Sequence, residues 1–245
     1  MKLLSFETDG RARVGVSLPE GMLDLTGALS ITHPQLDRTD SLLAMIQSHI
    51  DIDAFGEESV QRLRREQRLR DHLVGNFKWL PPIPRPPKIL ALALNYREHI
   101  EESKLSFFDE PIIFAKYANN LIAHDDEIVL PPFPQQVDEE HELALVVGRD
   151  CRHIRPSQAS GYIFGYTICN DVSARDRQRE RLRMGQPYAY AKNFATFCPM
   201  GPWIVTANEI GDPRKLNMTV RVNGETRRTG NTSAMIFDPY EVLAY

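Results

Sequence analysis

The chain has 245 residues, 42% hydrophobic and 25% charged, with a formal net charge of −4. That is a globular composition, long enough for one large domain or a small domain beside a larger one, and its acidic balance argues against a polyanion partner. No apolar run approaches the roughly 20 residues of a membrane-spanning helix, so neither nucleic acid nor membrane is an expected partner.

The N-terminus, MKLLSFETDG, turns acidic and polar too soon for a signal peptide. Cys151, Cys169 and Cys198 are odd in number and lack C-x-x-C spacing. A disulfide framework or zinc knuckle is not expected, and a reducing cytoplasm fits best.

Residues 1–25 predict a short β-meander, with Asp9-Gly10 as the turn between KLLSF and ARVGVSL. SLLAMIQSHI (41–50) has helical spacing, with Asp40 or Ser41 as N-cap. Residues 57–74 are rich in helix formers and end at Gly75. Arg62, Arg64, Arg65, Arg68 and Arg70 in this stretch are interspersed with Glu57, Glu58, Glu66 and Asp71, as on a solvated face. PPIPRPPK (81–88) holds five prolines in eight residues. It predicts a stiff connector between a small N-terminal domain (1–80) and a larger one (89–245).

Beyond the connector, 88–94, 111–117, 126–133, 142–148, 162–170, 201–207 and 216–228 are strand-like, with a hairpin turn at Asn223-Gly224. Short helices are expected near 96–103, 156–161 and 173–184. The fold class is therefore mainly β, of the α+β kind, with a small N-terminal α/β domain.

VDEEHELALVVGRD (137–150) brings Glu140 and Glu142 to one face of a strand, about 7 Å apart by strand rise. Either that face is wet or a cation compensates the two charges, because uncompensated burial costs several kcal/mol each. Asp171 follows the apolar strand GYIFGYTICN, where it could line a site or cap the next helix. Three carboxylates are hard oxygen ligands, suited to Mg²⁺ or Mn²⁺, with Ca²⁺ as a substitute. His99 and Glu102 are spaced i, i+3, so on a helix a carboxylate would orient an imidazole as a general base. Arg175, Arg177, Arg179, Arg181 and Arg183 recur at every second residue, a spacing that spreads them around a helix. Cys169 and Cys198 are read as small core hydrophobes.

LALNYREHIEE (92–102), DEEHELALVVG (138–148), GYTICNDVSARDRQ (165–178), AKNFATFCPMGPWIV (191–205) and VNGETRRTGNTSAMIF (222–237) resemble, in order and approximate spacing, successive motifs of the fumarylacetoacetate hydrolase family. The likeness is to its bacterial acylpyruvate hydrolase and diene-dioate isomerase members. It implies a mixed β-roll or sandwich with a divalent metal at one end, held by Glu140, Glu142 and Asp171. It further implies Lys192 inside the site, Arg175, Gln178 and Thr232 on the substrate side, and His99 with Glu102 on a lid that activates water.

The implied reaction is metal-dependent hydrolysis of a carbon–carbon bond in an acylpyruvate, with a pyruvate enolate as leaving group. Isomerisation, tautomerisation or decarboxylation of a 2-oxo acid such as oxaloacetate would use the same site. The family's usual Gly-Lys-Ser-Phe-Asp reads here Ala191-Lys192-Asn193-Phe194-Ala195, which bears on substrate identity. The family pattern continues past NTSAMIFDPYEVLAY into further strands and a Gly-Thr-Pro loop, so the expectation is a roll lacking its C-terminal strands. That raises a second expectation, a catalytically weak binding or assembly subunit. A homodimer is expected.

Overall fold

In the computed structural model, residues 1–36, 39–98, 100 and 108–245 are described. The chain opens as a meander, β1 (Lys2–Thr8), β2 (Arg11–Leu18) and β3 (Gly21–Asp24). Asp9 and Gly10 have φ of 50° and 69°, the left-handed pair that a tight hairpin of this twist requires. Asp24 ends β3 and caps α1 (Leu25–Thr32) by accepting from Gly27 N. Ser41 caps α2 (Leu42–Gln47) in the same way.

The next helix, α3, runs over Ile52–Arg65 and not over 57–74. Its start is set by Asp51, whose side chain accepts from Ala54 N, and its end by Gln67 at φ 57°, which turns the chain out of the helix. Residues Leu69–His72 form a separate 3-10 turn. The arginine face is solvated and paired, Arg62 with Glu66 and Arg64 with Glu20.

After β4 (Lys78–Leu80) come β5 (Ile89–Ala93), β6 (Ile112–Lys116), β7 (Leu121–Ile122), β8 (Val137–Asp138) and β9 (His141–Val147). A short helix α4 (Pro156–Ala159) precedes β10 (Ile163–Asn170) and β11 (Ser173–Ala174). Then follow α5 (Arg175–Arg183), β12 (Cys198–Thr206), α6 (Ala207–Ile210), the hairpin β13 (Asn217–Val222) and β14 (Glu225–Asn231), and α7 (Pro239–Ala244). The hairpin turns at Asn223 and Gly224, with φ of 53° and 83°.

Residues 126–133, expected as a strand, are irregular. Pro131, Pro132 and Pro134 cannot donate to a ladder, and the amide of Val129 bonds instead to Thr196 Oγ1 at 2.9 Å. Residues 97, 98 and 100 are helical. His99 and Glu102 lie outside the described residues.

The main sheet has eight strands in the order β3-β2-β1-β12-β10-β9, with β4 on β1 and β7 on β12. The join is β1 on β12, with Lys2 opposite Val205 and Leu3 opposite Ile204. One sheet thus carries strands from both sides of the proline stretch. That stretch packs against the sheet as well: Ser5 Oγ donates to Pro82 O at 2.8 Å, and Ile83 is buried in the main core. The core fills one face with Leu3, Val14, Val16, Leu23, Leu29, Leu63 and Ile204. Gly165 permits the close approach of β10 and β12, because a Cβ there would collide with Val205 O. A smaller core of Val172, Ala174, Ala191 and Phe197 lies where β10 runs out.

Candidate active site

Two stretches meet in an antiparallel ladder that continues past the strand ends. Cys169 faces Glu142 and Asn170 faces His141 across β10 and β9, while Ser173 faces Asp138 across β11 and β8. Between these pairs, Asp171 N donates to Glu140 O at 2.7 Å and Glu140 N donates to Asn170 Oδ1 at 3.1 Å. The ladder, with the Asn170 side-chain amide, therefore fixes Glu140, Glu142 and Asp171 as neighbours.

Lys192 ends the 3-10 turn Tyr188–Lys192 and is 3% exposed. Its ammonium donates to Glu140 Oε2 at 2.5 Å and to Asp171 Oδ2 at 2.6 Å, and stands 5.5 Å from the centre of the Phe114 ring. Arg175 opens α5, and its guanidinium donates to Asp138 at 2.7 Å, to Gln178 Oε1 at 2.6 Å and to Glu140. A second lysine, Lys116, reaches Asp171 Oδ1 at 2.5 Å and the carbonyl of Lys192 at 2.7 Å.

The charges are unevenly answered. Burial pushes the Glu140 carboxyl upward, but Lys192 and Arg175 outweigh it and hold the group at about 2. Burial, reinforced by the charges of Glu140 and Asp171, pushes Glu142 up to about 8 against the pull of Lys192. Among the described residues the Glu142 side chain makes no hydrogen bond or ion pair, although its backbone lies in the β9–β10 ladder. The Tyr96 phenol is also pushed up, by burial first and then by Glu142, so the segment leading to His99 adjoins the same cluster. Asn95 ties that segment to the end of the chain: its side chain donates to Phe237 O and accepts from Phe237 N, both at 3.0 Å.

Glu140, Asp171, Lys192, Arg175 and Gln178 are thus in one contact network, with Glu142 beside it. Thr232 is buried, but its hydrogen bonds run to Leu216, two at 2.9 Å, and from Met235 N at 3.2 Å, and not to the carboxylates. The remaining arginines of α5 are spread around it: Arg177 pairs with Glu180 and Arg179 bonds Gln136. Cys169 and Cys198 are buried free thiols with sulfurs 3.4 Å apart. Lys116 was not singled out from sequence. The available signal is the alternation of β6, in which Ile112, Phe114 and Lys116 share the inward face.

Among the described residues no three His, Cys, Asp or Glu side chains form a ready-made metal cage. The Glu140 and Asp171 carboxylates are turned onto the Lys192 ammonium. The donor set nonetheless fits a hard divalent cation: it is all carboxylate oxygen, and among the described residues the buried Glu142 carboxyl makes no hydrogen bond or ion pair that would compete for it.

A model of the fumarylacetoacetate (FAA) hydrolase C-terminal family matches residues 88–245. The chain belongs to the fumarylacetoacetate hydrolase family. A mitochondrial oxaloacetate tautomerase of Homo sapiens is 41% identical over 167 residues, 68% of this chain and 52% of that protein. The match therefore spans about half the length of this human relative. A fumarylacetoacetate hydrolase from psychrophilic Exiguobacterium antarcticum superposes with a TM-score of 0.78 at 32% identity, covering 100% of this chain and 80% of that one. A maleylpyruvate hydrolase from Sphingobium, solved with manganese(II) ion and pyruvate, superposes with a TM-score of 0.74 at 28% identity, covering 100% and 81%. Among the described residues no helix is long and apolar enough to cross a membrane.

Proposed function

We propose that this chain stabilises the enolate of a 2-oxo acid, and that its reaction is keto–enol tautomerisation of a 2-oxo dicarboxylate such as oxaloacetate. The observation that carries this reading is the buried Lys192 ammonium, set between Glu140 and Asp171 beside the buried Glu142 carboxyl. Loss of a proton from C3 of the substrate leaves negative charge on the C2 oxygen. Lys192 donates a hydrogen bond to that oxygen, and the bond strengthens as the charge gathers. Arg175, steadied by Asp138 and Gln178, holds the substrate's carboxylate. A divalent cation such as Mg²⁺ or Mn²⁺, held by Glu140, Glu142 and Asp171, would supply electrophilic stabilisation of the same developing charge. His99, with Glu102 at i+3, is the sequence candidate for moving the C3 proton.

Hydrolysis of an acylpyruvate, the first expectation from the motifs, is the second reading. The maleylpyruvate hydrolase likeness and the His99–Glu102 spacing favour it. It needs a water-activating base in addition to the enolate site. The similarity to an oxaloacetate tautomerase at 41% identity supports the simpler proton transfer.

The test follows the ultraviolet absorbance of enol oxaloacetate with Mg²⁺ or Mn²⁺ present, alongside pyruvate release from an acylpyruvate. Accelerated decay of the enol that is lost in Lys192→Met supports tautomerisation. Pyruvate release without accelerated decay selects hydrolysis. Manganese binding with neither activity contradicts both and returns the binding-subunit expectation.

A further inference from the structure

The mechanism above leaves Lys116 without a role, yet Lys116 is among the most completely enclosed charges of the chain. Its side chain is 1% exposed. Burying an ammonium is costly unless every available partner is well placed. Here one ammonium joins two elements of the site at once, Asp171 Oδ1 at 2.5 Å and the backbone carbonyl of Lys192 at 2.7 Å. Asp171 is thereby gripped on both oxygens, Oδ1 by Lys116 and Oδ2 by Lys192.

The strand bearing Lys116 is itself fastened to the turn bearing Lys192. Asn193 uses its whole amide for this. Its oxygen accepts from Tyr117 N at 3.0 Å and Asn120 Nδ2 at 2.6 Å, and its nitrogen donates to Ala115 O at 3.0 Å and Ala189 O at 2.8 Å. An asparagine side chain offers two donor hydrogens and two acceptor lone pairs, and all four are used.

We infer that Lys116 is a positioning residue, held in place by Asn193, which locks the Asp171 carboxylate by one oxygen and the Lys192 backbone by its carbonyl. Asp171 then presents its other oxygen to the site in one orientation, and Lys192 starts from one fixed point. The inference rests on the reading of Glu140, Glu142 and Asp171 as ligands of a divalent cation. Lys116 itself touches neither cation nor substrate. A carboxylate freed on one oxygen can rotate, and a ligand that rotates binds more weakly; outer groups of this kind are worth about 10- to 100-fold in metal affinity or activity.

The experiment is a Mn²⁺ titration of the substrate-free full chain, read by electron paramagnetic resonance, for the native protein, Lys116→Met and Asn193→Ala. Folding is checked by circular dichroism. Lys116→Met should bind Mn²⁺ about 10- to 100-fold more weakly. Its kcat on oxaloacetate should fall by a similar factor, with KM little changed. Asn193→Ala keeps the ammonium but frees its strand, and should show a smaller loss in the same direction. A folded Lys116→Met chain with native Mn²⁺ affinity overturns the inference and leaves the cation reading standing. If Lys116→Met does not fold, native affinity in Asn193→Ala overturns it instead. A native chain that binds no Mn²⁺ overturns the cation reading, and this inference with it.

Discussion

Two of the buried polar clusters among the described residues solve the problem of burial differently. Beneath α1 and α3, Thr32, His33 and Ser59 are almost fully enclosed. The hydroxyls of Thr32 and Ser59 lie 2.7 Å apart and each reaches a backbone carbonyl, Ala28 at 2.9 Å and Phe55 at 2.7 Å. His33 Nδ1 lies 2.9 Å from Thr32 Oγ1, and its Nε2 faces Glu58 at 3.2 Å. Hydroxyl, imidazole and carboxylate stand together there, a combination that elsewhere does chemistry. Here they close a helix-to-helix joint. At the end of β9 and β10, by contrast, three carboxylates, two ammoniums and a guanidinium share one volume, and among the described residues the Glu142 side chain is left without a partner. The difference teaches that residue types do not mark a site. A buried ionisable group left without a partner does, because a fold keeps such a cost only where another group relieves it.

Several changes would break or sharpen that contrast. The largest effect is expected from Lys192→Met, which removes the donor proposed to face the developing oxyanion. The kcat for enolisation should fall about 10²- to 10³-fold while the chain stays folded. Mn²⁺ affinity should be retained, since the lost ammonium competes for Glu140 and Asp171. Stopped-flow absorbance and Mn²⁺ titration check the two halves.

Next is the pH dependence of the metal-free chain. Glu142 stands near 8 when folded, against an ordinary value of 4.5. Between these values the folded state holds a proton that the unfolded state has released, so stability falls as pH rises through that window. The slope is at most about 1.4 kcal/mol per pH unit for one proton. Glu142→Gln should flatten it. Glu140 has the opposite sign: its stabilising charge is present above 4.5 and is lost as pH falls toward about 2. Urea unfolding from pH 4 to 9 measures the first window.

A smaller effect is expected in the neutral cluster. Ser59→Ala should cost about 1–2 kcal/mol of stability with kcat unchanged, since only hydrogen bonds are lost. A change in kcat there would erase the distinction between the two clusters. Least of all, Arg64→Ala removes an exposed pair with Glu20 and should move stability by less than about 1 kcal/mol.

Much of this arrangement was legible in particular residues. Asp9-Gly10 and Asn223-Gly224 named their hairpins because few residues accept a positive φ. Glu140 and Glu142 drew notice because alternation put two like charges on one face, and Asp171 because it ends an apolar strand. Lys192 and Arg175 became candidates through the motif resemblance. Lys116 stayed hidden inside PIIFAKY, where only its inward alternation distinguishes it from a surface lysine. Its partners are 55 and 76 residues away, and no local pattern reports a contact of that span. Residues 126–133 were misread for a converse reason: Ile128, Val129 and Leu130 have strand composition, but the prolines that follow remove the ladder's donors. The pairing of β1 with β12 was equally invisible, because it joins residues about two hundred apart in a register that side-chain character does not encode.

The central claim is that a divalent cation displaces the proton of the buried Glu142 carboxyl and answers its charge. Mn²⁺ titration of the native chain and of Glu142→Gln, from pH 6 to 9, tests it most directly. The native affinity should climb as pH approaches 8 and then level off, as the Glu142 proton leaves. The Glu142→Gln chain should bind far more weakly, with little dependence on pH. Equal affinity in the two proteins at every pH would contradict the account.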